Sequence, residues 1–164
     1  MKIVIGRRLQ PIDIEQILNG LKQNNTVTDH GMVDLGSTCL DGILIGFKNK
    51  VEAEKELSKG REFDTKWGRS IIVSTKNNDV LQLGQKRGYV VVVRKDPEVG
   101  MVRIKAQPRS EADLTETYEQ VKTLDPEATW FLHASKKMLL NGNYKDPDSV
   151  FSKLEMDELI RVLS

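Results

Sequence analysis

The run YVVVVR, residues 89–94, constrains this chain more than any other stretch. It is an unbroken apolar segment of strand length, rich in β-branched valine and bounded by Gly88 and by Pro97 and Gly100. The segment MVRIKAQ follows and alternates strictly. Val102, Ile104 and Ala106 fall on one face of a strand, and Arg103, Lys105 and Gln107 on the other. The short loop between the two segments predicts an antiparallel hairpin.

The remaining elements arrange themselves around that hairpin. Upstream, RSIIVST (residues 69–75) reads as a strand, and residues 78–87 read as a helix closed by Gly88. Downstream, residues 114–123 read as a helix stopped before Asp125 and Pro126. Residues 129–133 and 137–141 then read as two more strands, and residues 154–163 as a last helix carrying Leu154, Leu159, Ile160 and Leu163. Residues 78–107 and 114–141 thus repeat one order, helix–strand–strand. The expected class is α+β, with a mixed or antiparallel sheet built from two such units and helices covering one of its faces. Trp130 and Leu132 are expected on one face of their strand, Phe131 and His133 on the other.

A helical N-terminal region precedes this sheet. Residues 2–5 suit a short strand. After Asp13, the residues Ile14, Ile17, Leu18 and Leu21 follow helical spacing, which fades in the polar run from Gln23 to Asn25. The segment TVTDHGMVDLGSTC reads as a loop. Ser37 or Thr38 then caps a second helix reaching about Ser58, whose charged half, KNKVEAEKELSKG, reads as a solvated or connecting arm. The expected division is a helical region or arm at 1–60 and an α+β substrate-binding-type domain at 61–164.

Composition bounds the function. Hydrophobic residues make up 38% and charged residues 30%, and the formal net charge is +1. A surface for polyanions must therefore be a local patch. The single cysteine, Cys39, excludes an internal disulfide and any multi-cysteine zinc site, and fits a reducing compartment. No stretch approaches the roughly 18 apolar residues of a membrane span. The expected setting is cytoplasmic, with no membrane partner.

Two sets of residues carry candidate chemistry. Arg103 and Lys105 project from one strand face, Arg94 and Lys95 close the preceding strand, and Lys136 and Lys137 lie at the second hairpin. If the hairpins pair, these cations form a strip for phosphates, with Trp67, Tyr89, Phe131 and Tyr144 as stacking faces for unpaired bases. The alternative is that such charges are only a solvated strand face. In ATWFLHASKKMLLNGN (residues 128–143), His133 and Ser135 sit at the hairpin turn. His133 reads as structural or binding rather than as a general base, and Ser135 lacks a nucleophile's G-x-S-x-G setting. The second set is Asp29 and His30, with Asp34 close behind. These are weak catalytic candidates suited to manganese or magnesium, or else residues of a turn and cap.

With these elements placed, the region from about Arg61 to the end resembles the C-terminal part of the melanocyte-proliferating-gene family. These are relatives of the DHH phosphoesterases, described as metal-dependent hydrolases or 3′–5′ exonucleases. The strand pair YVVVVRKDPEVGMVRIKAQP matches a family run through Arg103, Ile104 and Pro108. The Phe-x-His-x-Ser strand is matched by Phe131, His133 and Ser135, and DELIRVL supplies the closing helix. Trp67 answers a tryptophan near the start of that region. Upstream, Asp29 and His30 are followed by Gly31 where the family has a second histidine, and the first aspartate and histidine motifs are absent from MKIVIGRRLQ. Near the second hairpin, Asn141-Gly142-Asn143 stands in place of a double glycine.

The resemblance implies a binding subdomain without a complete metal site. It would hold single-stranded nucleic acid such as RNA, or nucleotide phosphates, through Arg103, Lys105, His133, Ser135, Lys136 and Lys137, with a separate catalytic chain as a partner. The first alternative is a minimal phosphoesterase using Asp29 and His30 with manganese or magnesium. The second is an interaction or homo-oligomerisation module built on the long helix.

Overall fold

The computed structural model describes residues 2–5, 8–11, 13–23 and 27–164. The chain is α+β. Among the described residues it has five helices, a two-stranded hairpin and a six-stranded mixed sheet. It divides into two compact units, Met1–Lys48 and Asn49–Ser164.

In the first unit, β1 (Lys2–Ile5) and β2 (Arg8–Pro11) pair antiparallel. Helix α1 (Ile14–Gln23) starts where the Asp13 carboxylate accepts the Gln16 N–H at 2.9 Å. The fading of that helix at Asn24 and Asn25 lies outside the described residues. Helix α2 (Asp29–Leu57) begins nine or ten residues earlier than the sequence suggests. The Thr28 hydroxyl accepts the Gly31 N–H at 3.2 Å and caps it. Met32, Leu35 and Cys39 then share a half-buried face. That face outweighs the helix penalty of roughly 1 kcal/mol at each of Gly31 and Gly36.

The second unit takes the end of α2 into its core. Ala53 and Leu57 are buried there, while Glu52, Glu54 and Lys55 stay in water. The segment expected to be a solvated arm is thus amphipathic. The sheet runs β3 (Arg61–Thr65), β4 (Gly68–Ser74), β5 (Val91–Lys95), β6 (Val102–Ala106), β8 (Met138–Asn141) and β7 (Trp130–Leu132) in spatial order. Only β4 and β5 are parallel, joined through helix α3 (Asp79–Lys86). Strand β3 escaped the sequence reading because REFDT is mostly polar, as befits an edge.

Helices cover both faces of the sheet, not one. Helices α4 (Thr115–Leu124) and α5 (Met156–Leu163) accompany a core of Ile72, Val91, Val93, Val102, Ile104, Leu139 and Trp130. On the other face, α3 and the end of α2 bury Ile71, Val73 and Val92 with Val80, Leu81, Ala53 and Leu57. Gly84 lets α3 lie against β5, since a Cβ there would come within 2.8 Å of a Val92 methyl. The two helix–strand–strand units therefore do not repeat in space, because α3 and α4 lie on opposite sides.

Polar groups fix the C-terminal segment to the sheet. Buried Asn141 donates to the carbonyls of Thr129 and Val150 and accepts the Ser152 N–H at 2.8 Å. The Ser152 hydroxyl donates to Asp125 at 2.7 Å. Helix α5 is held at its start by a reciprocal capping box between Glu155 and Glu158. Gly100 sits below this segment with φ +83°, and a Cβ there would stand 2.4 Å from the Ser152 carbonyl oxygen. Gly100→Ala is expected to destabilise the chain by at least about 2 kcal/mol through strain and overpacking. Unchanged urea-unfolding midpoints for the variant would refute that account.

Candidate nucleic-acid interface

The layer formed by α3 and the end of α2 stops at β5. Its end is visible strand by strand in the burial of the chain. Val91, Val92, Val93 and Arg94 are all buried, whereas β6 alternates buried and half-buried along its length. Arg103 and Lys105 are the half-buried positions, facing away from the core that holds Val102 and Ile104. Register extends this open face sideways. Arg103 stands opposite Leu140, which stands opposite Phe131, and Lys105 stands opposite Met138. His133 continues the second row, its N–H donating to the Met138 carbonyl at 2.9 Å.

The open face therefore presents Arg103, Lys105, Met138, Leu140, Phe131 and His133 together. Phe131 is 56% exposed. Asn78, Leu81 and Gln82 of the α3 region form a wall beside Arg103, Lys105, Met138 and Leu140, enclosing a groove of about 280 Å³. Helix α3 is held there by Gln85, whose amide donates to the Ala106 carbonyl at 2.7 Å. Met138, Leu140 and the α3 wall were missed from sequence. The alternation of MLLN carried the signal for the first two, but nothing local announces the wall.

The other predicted cations are placed differently. Arg94 is opposite Arg103 in register yet only 1% exposed. It donates to the Thr75 carbonyl at 3.1 Å and lies 3.8 Å from Asp96, and its Nε and Nη2 have no partner. Burial holds its pKa below the usual value, with Asp96 opposing that effect. Lys95 pairs with Glu155 at 2.8 Å. Lys137 donates its amine to the carbonyls of Ser110 and Ala112 at 2.6 and 2.5 Å, tying the hairpin to the loop before α4. Lys136, at φ +57°, pairs with Asp113 at 3.2 Å. Among the described residues, no carboxylate pairs with Arg103 or Lys105.

The aromatic candidates separate in the same way. Tyr89 is buried with its hydroxyl on Glu62, and Tyr144 donates to Asp96 at 2.6 Å while its ring tilts against Phe151. Trp67 lies at the β3–β4 turn under the Lys66 amine. Phe131 stands in one cross-strand row with Leu140 and Arg103.

His133 and Ser135 close the β7–β8 turn. The His133 Nδ1 accepts the Ser135 N–H at 3.1 Å and lies 2.9 Å from its hydroxyl. Both contacts engage Nδ1 within the turn. Among the described residues no carboxylate orients the ring, so the pair lacks the third member of a catalytic relay.

Asp29 and His30 lie on the first turn of α2 rather than in a loop, with His30 Nε2 3.6 Å from Asp34. Among the described residues no group of three or more His, Cys, Asp and Glu side chains converges to hold a metal ion. No helix among the described residues is long and apolar enough to cross a membrane. The sequence matches no protein-family model and no curated protein.

Asp113 anchors the hairpin tip. The Thr115 hydroxyl and N–H, followed by the Lys136 amine, lower its pKa to about 2. A lowered carboxylate pKa stabilises the fold above the ordinary carboxylate range, and that contribution is lost as pH falls toward 2. Thr115→Val is expected to move the Asp113 midpoint upward, read by carbon NMR of the carboxyl. A midpoint that stays near 2 would assign the shift to Lys136 instead.

Proposed function

We propose that the open face of β6, β8 and β7 binds single-stranded nucleic acid or nucleotide phosphates, in a domain related to the C-terminal subdomain of the melanocyte-proliferating-gene family. The observation that carries this reading is the meeting of Arg103, Lys105 and exposed Phe131 on one uncovered sheet face. A sheet face that sets aromatic and basic side chains side by side suits a strand of nucleotides, since bases stack on the ring while phosphates meet the cations. The apolar floor of Met138 and Leu140 and the amides of Asn78 and Gln82 give a base an edge and a face to lie against. His133 extends the face. Lys136 and Lys137 belong to its scaffold, because both amines are occupied by Asp113 and by backbone carbonyls. This reading calls for no metal in the chain itself, and leaves any cleavage of the bound strand to a separate catalytic chain.

Fluorescence anisotropy with a labelled single-stranded RNA tests it. Binding is expected at low salt and should weaken steeply toward physiological salt. Arg103→Ala should lower the salt slope by about one charge, and Phe131→Ala should cost about 1–3 kcal/mol. Lys136→Ala is expected to change little. Absence of binding at low salt would reduce Arg103 and Lys105 to a solvated strand face.

A further inference from the structure

The groove beside the open sheet face offers hydrogen bonds of an uneven kind. Its wall is the exposed side of the α3 region, where Asn78 and Gln82 stand about one helical turn apart. Strand β6 sets Arg103 and Lys105 between Met138 and Leu140 of β8 and the helix that packs on β5. Arg103 and Lys105 are cations that only donate, whereas each amide both donates and accepts. Among the described residues, the side-chain amides of Asn78 and Gln82 make no hydrogen bond within the chain, and no carboxylate or hydroxyl lines the groove.

A flat ligand seated there must bring acceptors to the cations and donors to the amide oxygens. The nucleobases divide on that demand. Adenine and cytosine set an amino group beside a ring acceptor, so half of that edge meets a cation donor against donor. Guanine carries O6 and N7 as adjacent acceptors, the edge that lysine and arginine read most often. Its neighbouring edge carries N1–H and the 2-amino group, adjacent donors suited to amide oxygens. Uracil has no adjacent pair of acceptors, and its single ring covers less of the apolar floor of Met138 and Leu140. With Arg103 given to a phosphate, Lys105 is the cation left for the base.

We infer that the groove selects guanine. Lys105 donates to O6 and N7, the amides of Gln82 and Asn78 accept from the opposite edge, and the ring lies on Met138 and Leu140. The inference rests on the proposed binding of single strands at this face and names the base that the face selects.

Fluorescence anisotropy tests it with labelled uridine strands carrying one central guanine, adenine or cytosine, beside the all-uridine strand. The guanine strand is expected to bind on the order of tenfold tighter than the others. Lys105→Met and Gln82→Leu should each shrink that ratio. Methionine keeps an apolar stem on the strand and leucine is a good helix former, so the fold should persist by circular dichroism. Guanosine monophosphate that displaces the guanine strand better than adenosine monophosphate would support the same contacts in a free nucleotide. Displacement by neither, with the strand ratio intact, would support guanine held within a strand. Strands that all bind alike, or a preference for adenine or cytosine, would overturn the inference and leave strand binding standing. So would a guanine preference that both variants leave unchanged. Absence of binding by every strand would remove the inference together with the reading beneath it.

Discussion

The burial of β5 on both faces is the constraint on which the rest of the second unit depends. Val91 and Val93 point into one core and Val92 into another, so the strand requires a layer of helix on each side. Helix α3 meets the requirement on one side by crossing from β4 to β5, packed closely at Gly84 and joined by the end of α2. Helices α4 and α5 meet it on the other. The second layer is long enough to cover β6, β8 and β7 as well. The first is not, and its early end creates the open face.

The fate of each basic side chain follows from that geometry. Arg94 and Arg103 are cross-strand neighbours pointing the same way, yet the first is buried and the second half-buried. The first is spent on a buried contact with Thr75 and Asp96, and the second remains at the surface. Lys137 and Lys136 are absorbed in holding the β7–β8 turn to the loop before α4. Of the six cations that cluster by sequence, Arg103 and Lys105 stand on the open sheet face, and Lys136 keeps an exposed pair with Asp113. The net charge of +1 gives no long-range attraction for polyanions, so the proposed binding on the sheet face calls on local contact.

Much of this was legible in the chain because it is local. The alternation of MVRIKAQ placed Arg103 and Lys105 together, and that of WFLH separated Trp130 from Phe131. What escaped had non-local causes. The start of α2 looked like a loop because Gly31 and Gly36 weaken helix propensity. The Thr28 cap and the half-buried face through Met32, Leu35 and Cys39 compensate for them. The two helix–strand–strand units form in the expected order, α3–β5–β6 and α4–β7–β8, with their helices on opposite sides of the sheet. Element order says nothing of which side of a sheet a helix takes.

The sequence by itself determined the α+β class, the two hairpins and the face on which each strand residue points. Each of these follows from backbone periodicity, which is written in the order of residues. Only the tertiary structure decided that β6 pairs with β8, that α3 and α4 lie on opposite sides, and that the helical cover ends at β5. Strand pairing and layer extent depend on contacts between residues distant in the chain. For that reason a candidate strip of six cations and four aromatic rings became one open face bearing Arg103, Lys105 and Phe131.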